Sequence, residues 1–283
     1  MNSLIKRLKE NNVRFYDYKN IDVGQFLGEG GFSSVYKCTI KGKLYAAKRL
    51  YFEFDDSFNE FKSNLFKEFM LSKQLNSKRF TKIYGFSYDY DDDEFYIIME
   101  YLNNGDFHTY LNKCCFTYQE KLKIFNSLVL AVKTLHEKDY IHRDLKMDNI
   151  SYHMDHMNNK KYMKLFDYNF MIKGKKDPNK LTYGCAITKG YCSPESYSDE
   201  EQVCKKSDIY SLGVIFLEFI LEHDLWSKST NLYNCDKSVR RYLKKYSKTN
   251  PELSRIIETC LSEDIKQRFT SDELYKEIKV LIK

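Results

Sequence analysis

The spacing of apolar residues changes near Asp106, and this change limits the folds that the chain can adopt. Residues 21–31, 33–50 and 93–102 hold short runs of β-branched and aromatic residues, interrupted by glycine or aspartate. Such runs are typical of antiparallel strands. Beyond Asp106 the apolar residues recur every three or four positions, which is typical of helices. The sequence therefore predicts a small β-rich region followed by a larger helical region.

One helix is predicted inside the β-rich region, after Asp55 and Asp56. Its apolar residues fall three or four positions apart and would form one face. They are Phe58, Phe61, Leu65 and Phe69. Ahead of the first strand, residues 1–20 are expected to form a short amphipathic extension. The apolar side of this extension consists of Leu4, Ile5 and Leu8.

The longest periodic run of the helical region extends from Tyr118 to Asp139. Its apolar residues share one helix face. They are Leu122, Phe125, Leu128, Val132 and Leu135. Further helices are predicted over residues 207–221 and 251–261. A last helix is predicted to begin at Ser271, where Glu273 and Glu277 suit a capped start.

Length and charge narrow the class of protein. With 283 residues, of which 42% are hydrophobic, the chain can bury a sizeable core. The 46 basic residues are interspersed with 40 acidic ones, so the net charge of +6 does not by itself indicate a nucleic-acid partner. No nucleic-acid partner is therefore expected.

Cysteine usage and the N-terminal residues indicate the compartment. Eight cysteines occur without a C-x-x-C pair, which argues against a zinc cluster or a thioredoxin-type site. The first residues lack the apolar core of a signal peptide. The most apolar run, residues 211–221, is too short to span a bilayer and contains Glu218. An intracellular, cytoplasmic protein without a membrane span is expected.

A glycine-rich segment, LGEGGFSSVYKC, is the first candidate for a ligand site. Gly28 and Gly30 have a G-x-G spacing, and Ser33 stands where a third glycine could occur. Glycine lets backbone N–H groups approach phosphates closely. Strand residues follow the segment, so it does not resemble a Rossmann turn. An ordinary hairpin with tight-turn glycines remains an alternative at this point.

Two charged residues follow, Lys48 in a predicted strand and Glu68 on the predicted helix. A buried lysine needs a carboxylate partner to stay charged, and Glu68 is of the right kind. Taken alone, Lys48 is more typical of an exposed lysine on its strand.

The stretch YIHRDLKMDNI, residues 140–150, is the most specific motif. Asp144 can accept a proton from an attacking hydroxyl, Lys146 can steady a transferring phosphoryl group, and Asn149 can bind a metal ion. Asp167 follows across a predicted short hairpin. Two oxygen ligands of this sort suit Mg²⁺.

Taken in order, these motifs resemble those of the eukaryotic-type protein kinase family, over about residues 22–278. The resemblance implies an α+β, two-lobed kinase-like fold: a small β-rich N-lobe with one main helix, and a larger, mainly helical C-lobe. Residues 1–21 would be an N-terminal extension. The N-lobe would cover about residues 22–102 and the C-lobe about residues 103–283. ATP and Mg²⁺ are the implied cofactors, and proteins the implied substrates.

The same resemblance implies a role for each motif residue. Asp144 would be the catalytic base, helped by Lys146 and Lys48, and Asn149 and Asp167 would hold Mg²⁺. Met99 would be the gatekeeper, the three residues after it the adenine-binding hinge, and Asp106 would meet the ribose. The implied nucleotide-binding set is Gly28, Gly30, Val35, Ala46, Lys48, Glu68, Met99, Glu100, Leu102 and Asp106.

Downstream motifs extend the resemblance. Ser193, Pro194 and Glu195 resemble the A-P-E region, and Thr188 occupies the place of a threonine that contacts the catalytic loop in serine/threonine kinases. Lys146 also favours serine or threonine substrates. Asp208 would brace the catalytic loop, and Arg268 would pair with Glu195; these last roles are structural. Arg143 is associated with control by phosphorylation, for which Thr182, Tyr183 and Thr188 are the candidates, an unmodified loop being the alternative.

Four positions depart from the family pattern. Tyr168 replaces the phenylalanine of D-F-G and Asn169 its glycine, giving D-Y-N. Asparagine tolerates the left-handed backbone region, so the metal site is expected to persist while the switching of the loop changes. Ser72 and Ser151 replace apolar side chains, with an expected cost of about 1 kcal/mol each in packing.

Two functions are therefore compared. An active protein kinase would use six polar residues, and none of them is missing. They are Lys48, Glu68, Asp144, Lys146, Asn149 and Asp167. A pseudokinase would bind a partner with weak phosphoryl transfer or none. A small-molecule kinase is a more distant alternative, against which the Ser-Pro-Glu segment and Thr188 argue. The physiological substrate and the oligomeric state remain open.

Overall fold

The structure is a computed structural model, and it separates the chain into two compact units. Residues 1–30, 33–52, 58–111, 113–155, 160–168, 170–175, 177, 182–183, 188, 190–197, 202–221, 243–244 and 250–283 are described. The units are Met1–Gly105 and Asp106–Lys283. The first is dominated by a β-sheet and the second by helices, which confirms the predicted α+β class. The predicted lobe boundary, after residue 102, lies close to the end of the first unit.

A six-stranded sheet forms the frame of the first unit, with strand order β1-β5-β6-β4-β3-β2. Its strands are β1 Arg14–Phe15, β2 Ile21–Gly30, β3 Ser33–Ile40, β4 Lys43–Leu50, β5 Ile83–Asp89 and β6 Glu94–Met99. The unit also contains helices α1, Asn2–Glu10, and α2, Phe58–Gln74, and a 3-10 turn at Tyr18–Asn20. The predicted strands and helix are confirmed, whereas β1 and β5 are additions to the prediction.

The two faces of the sheet carry separate apolar cores, because successive side chains of a strand point to opposite faces. On one face, Leu50 and Ile97 pack against Leu65 of α2. On the other face, Ala47 and Ile98 pack with Tyr16 and with Cys38 and Ile40 of β3. Helix α2 therefore covers one face of the sheet only.

The N-terminal residues are part of the first unit rather than an appendage to it. Leu4, Ile5 and Leu8 of α1 are buried and belong to the core beneath α2. The three residues predicted to form the apolar side of the extension are the buried residues of α1. Strand β1 then pairs in parallel with β5.

The second unit is built from five described helices and several short strands. The helices are α3 Phe107–Leu111, α4 Tyr118–Glu137, α5 Lys205–Leu221, α6 Pro251–Cys260 and α7 Ser271–Leu281. The strands are β7 Tyr140–Ile141, β8 Ile150–Asp155, β9 Lys160–Leu165, β10 Ile172–Lys173, β11 Thr182–Tyr183 and β12 Gln202–Val203. Single 3-10 turns occur at Met147–Asn149 and Pro194–Tyr197. The predicted hairpin before Asp167 is the β8–β9 pair.

One helix start and one helix cap differ from the prediction. Helix α5 begins at Lys205, two residues before the predicted Ser207. Helix α7 begins at Ser271 as predicted, but its cap is Thr270, whose hydroxyl accepts the N–H of Glu273 at 3.3 Å. The Glu273 carboxylate in turn accepts the backbone N–H of Thr270 at 2.7 Å, which completes a capping box.

The core of the second unit lies around α5. The rings of Phe125 on α4 and Phe216 on α5 stack with centroids 3.6 Å apart. Gly213 admits α6 closely, because a Cβ there would lie 2.7 Å from the Cβ of Cys260. Within the described ranges, none of the helices combines the length and the apolar character needed to cross a bilayer.

Gly85 gives a direct test of the β1–β5 pairing. A Cβ at this position would lie 2.1 Å from the carbonyl oxygen of Arg14, its partner on β1. We expect Gly85→Ala to separate the two strands and to lower the free energy of unfolding by about 1–3 kcal/mol. Chemical denaturation measures this change. Gly24→Ala is the control, because its Cβ would lie at an ordinary 3.4 Å from Lys37; equal losses in both variants would contradict the prediction.

Candidate functional site

The strand register of the first unit aligns the predicted nucleotide-binding residues in two rows. One row runs across three strands, since Gly28 pairs with Val35 and Val35 pairs with Lys48. Beside it, Ala46 of β4 pairs with Met99 of β6. Residues directly opposite each other in an antiparallel pair lie on the same face of the sheet. The register therefore brings five of the predicted residues together on one patch of sheet.

Lys48 and Glu68 are both buried, at 7% and 6% exposure. Lys48 pairs with Ile97, which packs in the core beneath α2, so Lys48 lies on the face that α2 covers. Glu68 stands one turn after Leu65, which packs into the same core. Both charged groups therefore enter the layer between the sheet and α2. Burial of a lysine and a carboxylate in one layer favours their mutual compensation.

Gly28 and Gly30, near the end of β2, leave the backbone there open to a ligand. Among the described residues, none has an atom within 4 Å of a Cβ built on Gly28, and a Cβ built on Gly30 would meet Ser33, at 4.0 Å. This space is what a phosphate group would require for a close approach to the backbone. The residues fit the predicted phosphate-covering role.

The predicted hinge follows directly after β6. The N–H of Glu100 donates to the carbonyl of Lys82 at 2.9 Å, and its carboxylate accepts the N–H of Lys82 at 3.3 Å. A turn then forms, in which the N–H of Gly105 donates to the carbonyl of Leu102 at 3.1 Å. These bonds fix the backbone of the segment on which adenine binding is predicted.

Asp106 begins the second unit and acts as the cap of α3. Its carboxylate accepts the backbone N–H of Thr109 at 2.7 Å and the Thr109 hydroxyl at 2.8 Å. Both oxygens therefore have a partner on the helix. The ribose contact of Asp106 remains a prediction.

Asp144 is the centre of the polar cluster in the second unit. It is buried, and one of its carboxylate oxygens accepts a hydrogen bond from the Thr188 hydroxyl. Its other oxygen lies 3.0 Å from the ammonium of Lys146 and accepts the side-chain amide of Asn149 at 2.7 Å. Lys146 also donates to Thr188 at 3.3 Å. Three residues that the sequence selected, Lys146, Asn149 and Thr188, thus surround the Asp144 carboxylate.

Asp208 holds the backbone that precedes Asp144. Its carboxylate accepts the N–H of His142 at 2.8 Å and that of Arg143 at 3.0 Å. Arg143 has a φ of 73° and thus lies in the left-handed region. The backbone of a residue other than glycine is strained in this region. The bracing role predicted for Asp208 therefore corresponds to two hydrogen bonds that hold a strained turn in place.

His136 belongs to the same arrangement, although the sequence did not single it out. Its Nε2 lies 2.9 Å from the Asp208 carboxylate oxygen that also accepts the N–H of His142, and both side chains are buried. The signal that could have found it is a histidine near the end of an amphipathic helix, six residues before His142. Its partner is distant in the chain, so only the fold reveals the contact.

The ring of His142, two residues before Asp144, is completely buried. Burial lowers its pKa, against the opposing influence of the neighbouring carboxylates of Asp208, Asp144 and Asp167. Neither ring nitrogen has a hydrogen-bond partner in the described parts of the chain. The neutral imidazole of His142 therefore packs at this position in the way an apolar side chain would.

Asn149 and Asp167 fit a magnesium site. The amide nitrogen of Asn149 donates to both the carbonyl and the carboxylate of Asp144, at 2.9 and 2.7 Å. These bonds fix the amide plane and turn its oxygen away from Asp144. The backbone carbonyl of Asn149 accepts the N–H of Phe166 at 3.1 Å, which ties Asp167 to the same place. Asp167 has a φ of 62°, a strained backbone of the kind that recurs at functional sites.

The departures from the family pattern have specific local consequences. Tyr168 is buried, and its hydroxyl donates to the carbonyl of Leu165 at 3.3 Å, so the ring is retained without an unsatisfied hydroxyl. Ser72 does more than leave a gap, because its hydroxyl accepts the N–H of Ile83 at 3.2 Å. Ser151 is buried on β8 opposite Lys164. The prediction for Asn169 falls on a residue outside the described ranges.

The predicted partners Glu195 and Arg268 form a bidentate ion pair, with distances of 2.7 and 2.8 Å. Ser207 donates to the same carboxylate at 2.7 Å. Burial alone would raise the pKa of Glu195, but the hydrogen bonds and charge of Arg268 hold it below its usual value. Of the phosphorylation candidates, Thr182 and Tyr183 lie on β11, paired with β12, and Thr188 contacts Asp144. Their modification remains a prediction.

Comparison with known proteins agrees with this geometry. The family model described as the protein kinase domain matches residues 21–278. A leucine-rich repeat receptor-like serine/threonine-protein kinase of Arabidopsis thaliana is 28% identical over 94% of this chain and 32% of its own length.

Two further relatives from Arabidopsis thaliana are similar to the chain. A serine/threonine-protein kinase-like protein is 29% identical over 70% of this chain and 54% of its own length. A G-type lectin S-receptor-like serine/threonine-protein kinase is 36% identical over 69% of this chain and 22% of its own length. The chain thus matches about half or less of the length of these curated relatives.

The ion pair allows a prediction about stability. Arg268→Met leaves the buried Glu195 carboxylate without its cation and should lower the free energy of unfolding by about 3–5 kcal/mol. Chemical denaturation measures this loss. The double variant Arg268→Met/Glu195→Gln removes the stranded charge and should regain part of the stability. A double variant that is less stable than Arg268→Met would contradict this explanation.

The lowered pKa of Glu195 predicts a pH dependence with a definite sign. A carboxyl whose folded pKa is depressed stabilises the fold above its unfolded value of 4.5 and loses this contribution as the pH falls through the folded value. We expect the stability difference between the wild type and Glu195→Gln to shrink as the pH is lowered from about 7 to about 3. Unfolding free energies measured across this range check it, and a difference that grows on acidification would refute it.

Proposed function

Because the chain belongs to the protein kinase domain family, we propose that it is a serine/threonine kinase that transfers the γ-phosphoryl group of ATP to protein hydroxyls. One observation carries the proposal. The Asp144 carboxylate is surrounded by Lys146, Asn149 and Thr188, all within hydrogen-bond or ion-pair reach. An acceptor for a hydroxyl proton, a cation and an oxygen ligand for a metal thus occupy one small volume.

Residues of the first unit would bind the nucleotide. Gly28 and Gly30 would cover its phosphates, Lys48 would neutralise their charge, and Glu68 would keep Lys48 charged and oriented. The shared row of Gly28, Val35 and Lys48 and the burial of Lys48 support this assignment. The adenine would be held by Val35, Ala46 and the backbone after Met99.

Residues of the second unit would carry out the proton transfer. The substrate hydroxyl gives its proton to Asp144 while its oxygen forms a bond to the γ-phosphorus, and the bond from this phosphorus to the bridging oxygen of ADP breaks. The Thr188 hydroxyl already donates to Asp144, which is the contact that a substrate hydroxyl would make. Lys146, 3.0 Å from Asp144, would stabilise the negative charge that develops on the transferred group.

Asn149 and Asp167 would hold Mg²⁺, since carboxylate and amide oxygens are the ligands that this ion prefers. When bound, the ion would neutralise charge on the phosphate oxygens of ATP. The fixed amide plane of Asn149 supports the assignment, because it presents an oxygen in one orientation.

Asp144→Asn tests the catalytic assignment. The variant keeps the shape of the side chain but removes the proton acceptor, so we expect phosphoryl transfer to fall by about 10²–10⁴-fold. Transfer from labelled ATP with Mg²⁺ to generic protein substrates measures the rate. Binding of Mg²⁺–ATP, followed by calorimetry, should remain because Asp144 is not among the proposed ligands.

A wild-type protein without phosphoryl transfer would overturn the proposal. Retained Mg²⁺-dependent binding of ATP in that case would identify a pseudokinase, which binds a nucleotide and a partner. Asp167→Asn provides the matched comparison, because it should weaken the Mg²⁺ dependence of ATP binding and Asp144→Asn should not.

Substrate preference gives a separate prediction. Lys146 contacts both Asp144 and Thr188 and lies beside the position proposed for the substrate hydroxyl. We expect serine and threonine peptides to be phosphorylated at least about 10²-fold faster than matched tyrosine peptides, because a tyrosine ring would place its hydroxyl differently. Otherwise identical peptide series measure the ratio, and a preference for tyrosine would refute the serine/threonine assignment.

A further inference from the structure

The first sixteen residues form ordered structure outside the part of the chain that the family model matches. That match begins at residue 21. The residues before it form α1, Asn2–Glu10, and β1, Arg14–Phe15. We call residues 1–16 the N-terminal segment. Its contacts concentrate on α2 and β5, and α2 is the helix that carries Glu68.

The apolar side of α1 packs into the core beneath α2. Leu4, Ile5 and Leu8 are buried at 3%, 5% and 0% exposure, in one cluster with Leu65 and Phe69 of α2. Leu65 and Phe69 flank Glu68 along the helix. The same cluster therefore contains the N-terminal segment and the turn of α2 on which Glu68 lies.

Cationic and polar contacts join α1 to α2 at the surface. The guanidinium of Arg7 lies 3.7 Å from the centre of the Phe66 ring. Lys73, in the last turn of α2, donates to the carbonyl oxygens of Asn11 and Asn12, at 2.6 and 3.0 Å. Carbonyls at the end of α1 carry the negative end of its dipole, so a cation is favoured there. Lys73 thus links the end of α2 to the end of α1.

A second link joins the end of α2 to the sheet. The hydroxyl of Ser72 accepts the N–H of Ile83 at the start of β5. Two residues later, Gly85 of β5 pairs with Arg14 of β1, and the N–H of Tyr16 donates to the carbonyl of Phe86 at 2.8 Å. The N-terminal segment and the end of α2 therefore meet at the same strand.

We propose that the N-terminal segment holds α2 in place and thereby positions Glu68 for catalysis. Glu68 is one helical turn before Ser72 and little more than one turn before Lys73, the two residues that anchor the end of α2. Movement of this end would carry Glu68 with it, away from the layer that it shares with Lys48. The consequence for the rate of phosphoryl transfer rests on the proposed kinase function, whereas the effect on α2 does not.

Two substitutions in the full-length chain loosen the segment in different ways. Leu8→Ala leaves a cavity beneath α2, and Lys73→Met removes the hydrogen bonds to Asn11 and Asn12 without shortening the side chain. Lys67→Met is the matched control on the exposed side of α2, where the exposed Lys67 donates to Asn64 of the same helix at 3.5 Å. Leu8→Met keeps the buried volume, so this variant should behave like the wild type and unlike Leu8→Ala.

Hydrogen exchange of the backbone amides provides the readout that does not depend on activity. In Leu8→Ala we expect residues 58–74 to exchange about tenfold faster or more, because the lost packing lowers the free energy of local opening. Lys73→Met should act in the same direction with a smaller effect. Strands β8 and β9 in the second unit should be unchanged, as should α2 in the Lys67→Met control.

Kinetics of the same variants, measured well below their unfolding temperatures, test the positioning of Glu68. We expect kcat in Leu8→Ala to fall about tenfold or more, because small displacements of catalytic groups have large effects on rate. The KM for ATP should change much less, since the contacts of the glycine segment and the hinge are retained.

The outcomes separate this proposal from the proposed function. Unchanged exchange in α2 would overturn the inference, and so would faster exchange with kcat intact, because that combination describes a merely structural segment. Faster exchange with reduced kcat supports it. A wild type without phosphoryl transfer would overturn the kinase proposal, while accelerated exchange in Leu8→Ala would still support the hold on α2.

Discussion

The carboxylate of Asp208 is the interaction on which the polar cluster of the second unit depends. It is 1% exposed on a helix that is otherwise mostly apolar, so its charge has to be compensated from within. The backbone N–H groups of His142 and Arg143 and the ring of His136 provide this compensation. The same bonds hold the strained backbone of Arg143 in place. They thus offset both the cost of burying the charge and the cost of straining the backbone.

The ion pair of Glu195 and Arg268 extends this rigid arrangement. Arg268 is completely buried and reaches the carboxylate with two parallel hydrogen bonds, while Ser207 at the start of α5 donates to the same group. A bidentate pair defines orientation as well as distance. Because Ser207 and Asp208 are neighbours on α5, the brace for the catalytic loop and the anchor of Glu195 share one turn of helix. Asp208 and Ser207 thus attach the loop before Asp144 and the segment around Glu195 to the same helix, α5.

Motifs predicted the local chemistry better than they predicted its support. The spacing of Asp144, Lys146 and Asn149 is short enough for one loop to bring them together, so the sequence alone indicated their cluster. His136 and Ser72 act through partners that are distant in the chain, and no local pattern reports such partners. Strand β1 has only two residues, and a pair that short carries no periodicity. The cap of α7 differed from the prediction because Thr270 and Ser271 are both suitable capping residues, and the geometry selects the first.

Ser72 illustrates why a departure from a family pattern has to be interpreted with its surroundings. As an isolated substitution, a serine in place of an apolar side chain weakens packing. In this fold its hydroxyl accepts a backbone N–H of β5, and the next residue, Lys73, reaches back to the N-terminal segment. A small core benefits from such additions, because the surface that it can bury grows with the size of the unit. The N-terminal segment adds buried leucine and isoleucine at the helix where the departure occurs. Substitution and extension are thus parts of one arrangement, in which polar anchors and added apolar surface together fix the helix that carries Glu68.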